Sequence, residues 1–108
     1  MNLTSKLKKI RDTLNKVDVD VYHYDASNKT KNYIVWAESG EAGSFHSDNS
    51  KSEQVITGTI DYFTKEEYSK IIDDIQNALN DANISFVLNS VQYEEETKFI
   101  HYEWVFEV

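Results

Sequence analysis

The chain changes its hydrophobic period near its middle. From Val55 to Thr64 the run V-I-T-G-T-I-D-Y-F-T alternates apolar and polar and is rich in β-branched residues, the pattern of a half-buried strand. Beyond Thr64 the period becomes helical. Tyr68, Ile71, Ile72, Ile75, Ala78, Leu79 and Ala82 recur at spacings of three and four, which puts them on one stripe of an α-helix over 65–82. Lys70, Asp73, Asp74, Gln76, Asn77 and Asn80 take the other side. Thr64 and Glu67 stand at the spacing of a capping box, each side chain accepting from the other residue's amide. Glu66 and Glu67 also lie at the positive end of the helix dipole. Burying the larger apolar side chains of this stripe contributes at most about 7–15 kcal/mol. The strands have to supply the surface that the helix covers.

The flanking segments follow the same two periods. Leu3, Leu7, Ile10 and Leu14, extended by Val17, form the apolar face of a short helix over 2–16, capped by Asn2 or Thr4. Val17 to Tyr24 alternates as a strand, with Val17, Val19 and Val21 pointing one way and Asp18 and Asp20 the other. A polar turn, D-A-S-N-K-T-K, leads to a second strand over Asn32 to Glu38, expected antiparallel to the first. Ser39 to Glu53 carries only Ala42 and Phe45 as apolar residues. A connection of that length is uncommon in compact domains and is expected to be a flexible loop, open to ordering by a partner. Ile84 to Tyr93 and Phe99 to Val108 read as a hairpin around E-E-E-T and Lys98. In the second arm Ile100, Tyr102, Trp104, Phe106 and Val108 share one face, with His101, Glu103, Val105 and Glu107 on the other. The order α-β-β-β-α-β-β predicts an α+β fold: a mostly antiparallel sheet of about five strands, with the long helix 65–82 and the N-terminal helix packed on it.

Composition narrows the class. A chain of 108 residues with 40% hydrophobic and 13% aromatic content is expected to fold as a single domain spanning 1–108. Proline is absent and there are three glycines, so no internal linker is expected. The absence of cysteine excludes disulfides, thiolate metal sites and a cysteine nucleophile. No apolar signal core or membrane-length run occurs, and a soluble intracellular product without a membrane partner is expected. The net charge of −8 disfavours binding of nucleic acid by phosphate neutralisation. That charge is uneven. Lys6, Lys8, Lys9, Arg11 and Lys16 face Asp12 alone, so residues 1–16 carry +4 and the rest of the chain −12. The plain reading is a solvated helix face; the sharper one is a basic helix that docks on an acidic neighbour.

The candidate chemistry is thin. His23 lies among Asp20 and Asp25, but on a strand Asp18 and Asp20 share one face while His23 and Asp25 share the other. Only two ligands converge from either side, so no metal site is expected. His46 and Asp48 sit among serines in the long loop without a G-x-S-x-G nucleophile motif. Glu94, Glu95 and Glu96 occupy a hairpin tip, where solvent keeps carboxylates ordinary rather than split for acid–base work. Gly40 and Gly43 lack the following helix and Gly-Lys-Ser/Thr of a phosphate loop. No catalytic residue and no cofactor is expected.

Read together, V-Y-H-Y-D-A at 21–26, Y-I-V-W-A-E at 33–38, I-D-Y-F-T-K-E-E at 60–67 with the helix after it, and E-E-E-T-K-F-I-H-Y-E-W-V-F-E-V at 94–108 resemble the phage tail-completion or tail-terminator proteins. These are small structural proteins of phages and prophages of low-GC Gram-positive bacteria. The resemblance spans nearly the whole chain and rests on order and spacing more than on any one segment. It implies an α+β fold and a ring, usually a hexamer, that caps the tail tube and joins it to the head connector. The implied partners are other copies of the chain, the tail tube protein and the connector. The implied location is the virion tail, with host cytoplasm during assembly. The basic helix and the long loop are expected to supply the contacts, with Lys6, Lys8, Lys9 and Arg11 on the one and Phe45, His46 and Asp48 on the other. The competing reading is a small acidic protein-binding module of immunity or inhibitor type that occupies a basic partner. A metal-dependent enzyme is a weaker third.

Overall fold

The computed structural model describes residues 2–27, 29–43 and 54–108. The elements run α1 (Leu3–Leu14), β1 (Asp20–His23), β2 (Tyr33–Glu41), β3 (Ile56–Thr64), α2 (Lys70–Asp81), β4 (Ser85–Tyr93) and β5 (Ile100–Glu107). The fold is α+β, in the order that the two periods predict. The sheet order is β1-β2-β3-β5-β4. β5 inserts between β3 and β4 and is antiparallel to both, so α2 carries the chain across β5.

Both helices lie on one face. Ile10 and Leu14 of α1, Ile75 and Leu79 of α2, and Ile34, Trp36, Ile60, Tyr62, Trp104 and Phe106 of the sheet form one buried cluster. The register explains the choice of residues. Trp36 pairs with Ile60 and Ile60 with Trp104, and Ile34 pairs with Tyr62, so the apolar half of each alternation falls on the helix side. Gly58 belongs to the same face, opposite Phe106. A Cβ there would lie 2.2 Å from the Ala37 carbonyl oxygen and 2.7 Å from the Phe106 ring, so only glycine admits that ring. Trp104 is fully buried, and its Nε1 donates to Gln76 Oε1 of α2 at 2.9 Å. The polar edge of the indole is thereby satisfied inside the core.

Three expectations are corrected, besides the loop expected over 39–53, of which Ser39–Glu41 belong to β2 and 44–53 lie outside the described residues. First, β1 runs parallel to β2, with Asp20 opposite Tyr33 and His23 opposite Trp36. The segment 24–32 is too long for a tight hairpin. It has ample reach to return along a four-residue strand of about 13 Å. Second, the first strand is shorter than Val17–Tyr24. Lys16 and Val17 still donate to Thr13 and Leu14, so the chain leaves α1 through turns. Asn2, not Thr4, caps that helix, accepting from Ser5 N at 2.8 Å.

Third, α2 starts at Lys70 rather than at 65, with Ser69 as its cap. The Thr64 hydroxyl accepts instead from Glu66 N at 3.0 Å, a local turn that does not open a helix. The reason lies in the sheet. Ser69 is buried, and its hydroxyl meets the Tyr62 hydroxyl at 2.8 Å while accepting from Ile71 N. That buried pair fixes where the helix begins. Tyr68 consequently takes a left-handed conformation with φ 61° and stands 89% exposed, off the apolar stripe. The other end closes as a Schellman motif. Asn83 at φ 57° donates to Asn80, and Ile84 donates to Leu79.

Trp104→Ala is expected to lower stability by about 3–5 kcal/mol. Tyr68→Ala should change it by no more than about 0.5 kcal/mol. Urea denaturation of both variants checks the helix start, because a helix opening at residue 65 would make Tyr68 costly to remove.

Candidate interaction surface

One face of the sheet is covered by helices, and the other carries its own side-chain layer. Tyr33, Phe63 and His101 line up across β2, β3 and β5. The rings stack, Tyr33 on Phe63 at 4.7 Å and Phe63 on His101 at 4.2 Å, and Phe99 meets Tyr33 and Phe63 edge-on. Such cross-strand aromatic pairs stiffen a sheet. Beside them His101 Nε2 lies 2.7 Å from Asp61 Oδ1, and its Nδ1 lies 3.9 Å from Glu94 Oε2. The hydrogen bond to Asp61 raises the His101 pKa above its ordinary value against the opposing effect of burial.

A second group closes the β1 edge. His23 stacks between Trp36 and Tyr24, 3.8 Å from each, and its Nε2 lies 2.7 Å from Glu38 Oε1. The Tyr24 hydroxyl donates to the other Glu38 oxygen. Burial alone would raise the Glu38 pKa, but the hydrogen bonds from Tyr24 and His23 outweigh it and hold the carboxyl below its ordinary range. The same contact raises Tyr24. Each of these titratable groups therefore ties one segment to another. Among the described residues, no group of three or more histidine, aspartate or glutamate side chains is placed to hold a metal ion.

The predicted contact residues separate. Lys6 is buried, and its ammonium donates to the carbonyls of Gln54 and Val108, which anchors α1 over the ends of β3 and β5. Lys8 and Arg11 are exposed and Lys9 half-buried, while Arg11 Nε donates to Asp12 at 2.8 Å. Phe45, His46 and Asp48 lie outside the described residues. Glu95 and Glu96 are exposed at the β4–β5 turn, and Glu94 accepts from the Thr97 hydroxyl.

The surface that sequence reasoning missed is β4. It is an edge strand of nine residues, and Val87, Leu88, Val91 and Tyr93 stand exposed along it. S-F-V-L-N-S-V-Q-Y contains no charge and no proline, the usual protections of an edge. A bulge between Leu88 and Ser90 breaks the pairing with β5, and there Asn89 Nδ2 donates to Glu103. The available signal was the uncharged run itself, in a chain where charged residues make up 28%.

The fold is shared with a chain in the virion of a native gene transfer agent particle. The TM-score is 0.57, covering 94% of this chain and 87% of that one, at 15% sequence identity. At that identity the likeness is one of fold. No family model matches the chain, and no curated protein matches it in sequence. Among the described residues no helix is long and apolar enough to cross a membrane.

The His101 pair makes a pH prediction. Its folded-state pKa is raised, so the ionised imidazole stabilises the fold fully below its unfolded value near 6.5. That contribution is lost as pH rises through the folded value. Wild-type stability is expected to fall relative to Asp61→Asn over the pH window that opens near the unfolded value of about 6.5 and extends upward. Urea midpoints of the two proteins that keep a constant difference across this window would contradict the pairing.

Proposed function

We propose that this chain is a structural protein of a phage or phage-like virion. In this reading it acts at the tail: it completes or terminates the tail tube and joins it to the head connector as an oligomeric ring, with a hexamer expected on the tail. The observation that carries the reading is the fold shared with a gene transfer agent virion chain over 94% of the length. The resemblance of the segments at 21–26, 33–38, 60–67 and 94–108 to tail-completion proteins points the same way. An exposed, uncharged edge strand beside a rigid aromatic sheet suits a part gripped by neighbours. The chemistry required is recognition, not turnover, so the chain is read as a non-enzyme without a cofactor. Its partners are other copies of itself, the tail tube protein and the connector. It resides in the virion, after assembly in the host cytoplasm.

The acid excess favours one competing reading. With −12 beyond residue 16, the chain has the field of an inhibitor or immunity-type module that captures a cationic protein. Such a module would remain monomeric and bind one partner with an on-rate that falls steeply with salt. Electron microscopy of the purified protein, alone at high concentration and mixed with isolated tail tubes, separates the two. Rings, or tubes closed at one end, are the expected result. A monomer that ignores the tubes and binds a basic protein instead would overturn the tail assignment.

A further inference from the structure

Independently of the virion reading, we infer that two copies of this chain pair antiparallel along β4, joining their sheets around a two-fold axis between Asn89 and Ser90. The order of faces along the strand makes it self-complementary. Phe86 and Leu88 pair with Phe106 and Trp104, and Val91 and Tyr93 pair with Tyr102 and Ile100, so all four lie on the helix side of the sheet. Val87, Ser90 and Gln92 pair with Val105, Glu103 and His101 and lie on the open side. In an unbroken strand Leu88 and Val91 would take opposite faces. The bulge between Leu88 and Ser90 removes that conflict. Asn89 is the extra residue, and its amide donates to Glu103 of the open side. Read from either end, the strand therefore presents the same succession of faces, with helix-side residues at 86, 88, 91 and 93.

A second β4 laid antiparallel, with Leu88 opposite Val91, then matches face to face over 86–93. Leu88 meets Val91 of the second copy and Phe86 meets its Tyr93, each pair occurring twice. Leu88, Val91 and Tyr93, exposed in one copy, form one apolar row across the junction, while Val87 falls opposite Gln92 on the open side. The two bulges face each other at the axis. Charge agrees with this direction. On the helix side, a groove beside the end of β4 is lined by Lys65, Glu67, Val91, Tyr93, Lys98 and Ile100, two cations to one acid. The start of β4 follows α2, which ends at Asp81 with no basic residue in its last turn, so that end is negative. Antiparallel pairing sets the start of one strand beside the end of the other and brings the negative helix end toward the lysines. Glu95 and Glu96 fall beyond the overlap. With four residues, β1 is too short to cover the nine of β4. Because one patch serves both copies, the contact is isologous and closes at two, and a ring would use a further surface.

Cysteine pairs test the register, since the chain has no cysteine of its own. Leu88→Cys with Val91→Cys is expected to give a covalent dimer on a non-reducing gel after mild oxidation. Within one chain these positions lie roughly 10 Å apart along the strand, beyond the reach of about 7 Å between the Cα atoms of a disulfide. Val87→Cys with Val91→Cys should not link, because the two positions face opposite sides. Sedimentation velocity of the wild type should show a dimer. Leu88→Lys and Val91→Lys, each checked for folding by circular dichroism, should weaken it about tenfold or more. A wild type that stays monomeric at every concentration overturns the contact, as does a dimer that both lysine variants leave intact. Linkage of the 87–91 cysteine pair in place of the 88–91 pair overturns it as well. Rings on tail tubes without the expected cross-link overturn the contact and leave the tail reading standing. The cross-link in a protein that never forms rings supports the contact and removes the tail reading.

Discussion

The indole of Trp104 joins the two layers. It sits on β5, between Ile60 of β3 and Leu88 of β4, and reaches into the helix layer through Gln76. Because β5 is interior in the sheet yet last in the order of elements, β4 has no partner strand, and β3 only β2, until residues 100–107 insert. The β3–β5 pairs span from 36 residues of chain (Thr64 to Ile100) to 50 (Thr57 to Glu107), so their closure entropy has to be met before the ladder forms. What offsets it is aromatic burial on both sides of the insertion, with Trp104, Phe106 and Tyr62 all fully covered. The insertion also dictates the crossover. With β5 in the middle, α2 must pass over it to reach β4, which places the helix where the indole needs a lid.

Geometry then decides what stays bare. Two helices side by side cover about 20 Å, whereas five strands at their usual spacing span about 24 Å. The mismatch falls at the margins. β1 is only four residues long and is sealed by the Tyr24–His23–Trp36 stack. β4 is long and has no such cover, so Leu88, Val91 and Tyr93 remain in solvent. The exposed edge is therefore a consequence of the layer count and crossover, not an irregularity of one strand.

Much of the fold could be read from period alone, and the failures share one cause. Face assignments in β3 and β5 hold because a period of two and burial on one side leave little freedom. The start of α2 was misread because a local signal, Thr64 with Glu67, competed with a tertiary one. The Tyr62–Ser69 hydroxyl pair joins residues on different elements and has no sequence signature. The direction of β1 was misread for a similar reason, since nothing in the turn 25–31 records where the chain returns. At the surface, the basic character of α1 was legible, whereas the burial of Lys6 against the carbonyls of Gln54 and Val108 was not. Nor was the bare β4 edge, because which strand lies outermost is a property of topology.

The titratable groups give the last step. His101 bonds Asp61 across β5 and β3, and His23 bonds Glu38 from β1 to β2. A catalytic centre would gather such groups around one cleft so that their pKa values diverge and a substrate can reach them. Here each carboxylate is matched to a partner on another segment, and the two pairs sit on opposite faces of the sheet. They act as cross-strand ties that help hold the strands in register. A stiff slab loses little freedom when neighbours close on its edge, and pre-organisation of that kind converts modest buried area into a durable contact. Under the structural reading, these ties are what fit the sheet for assembly.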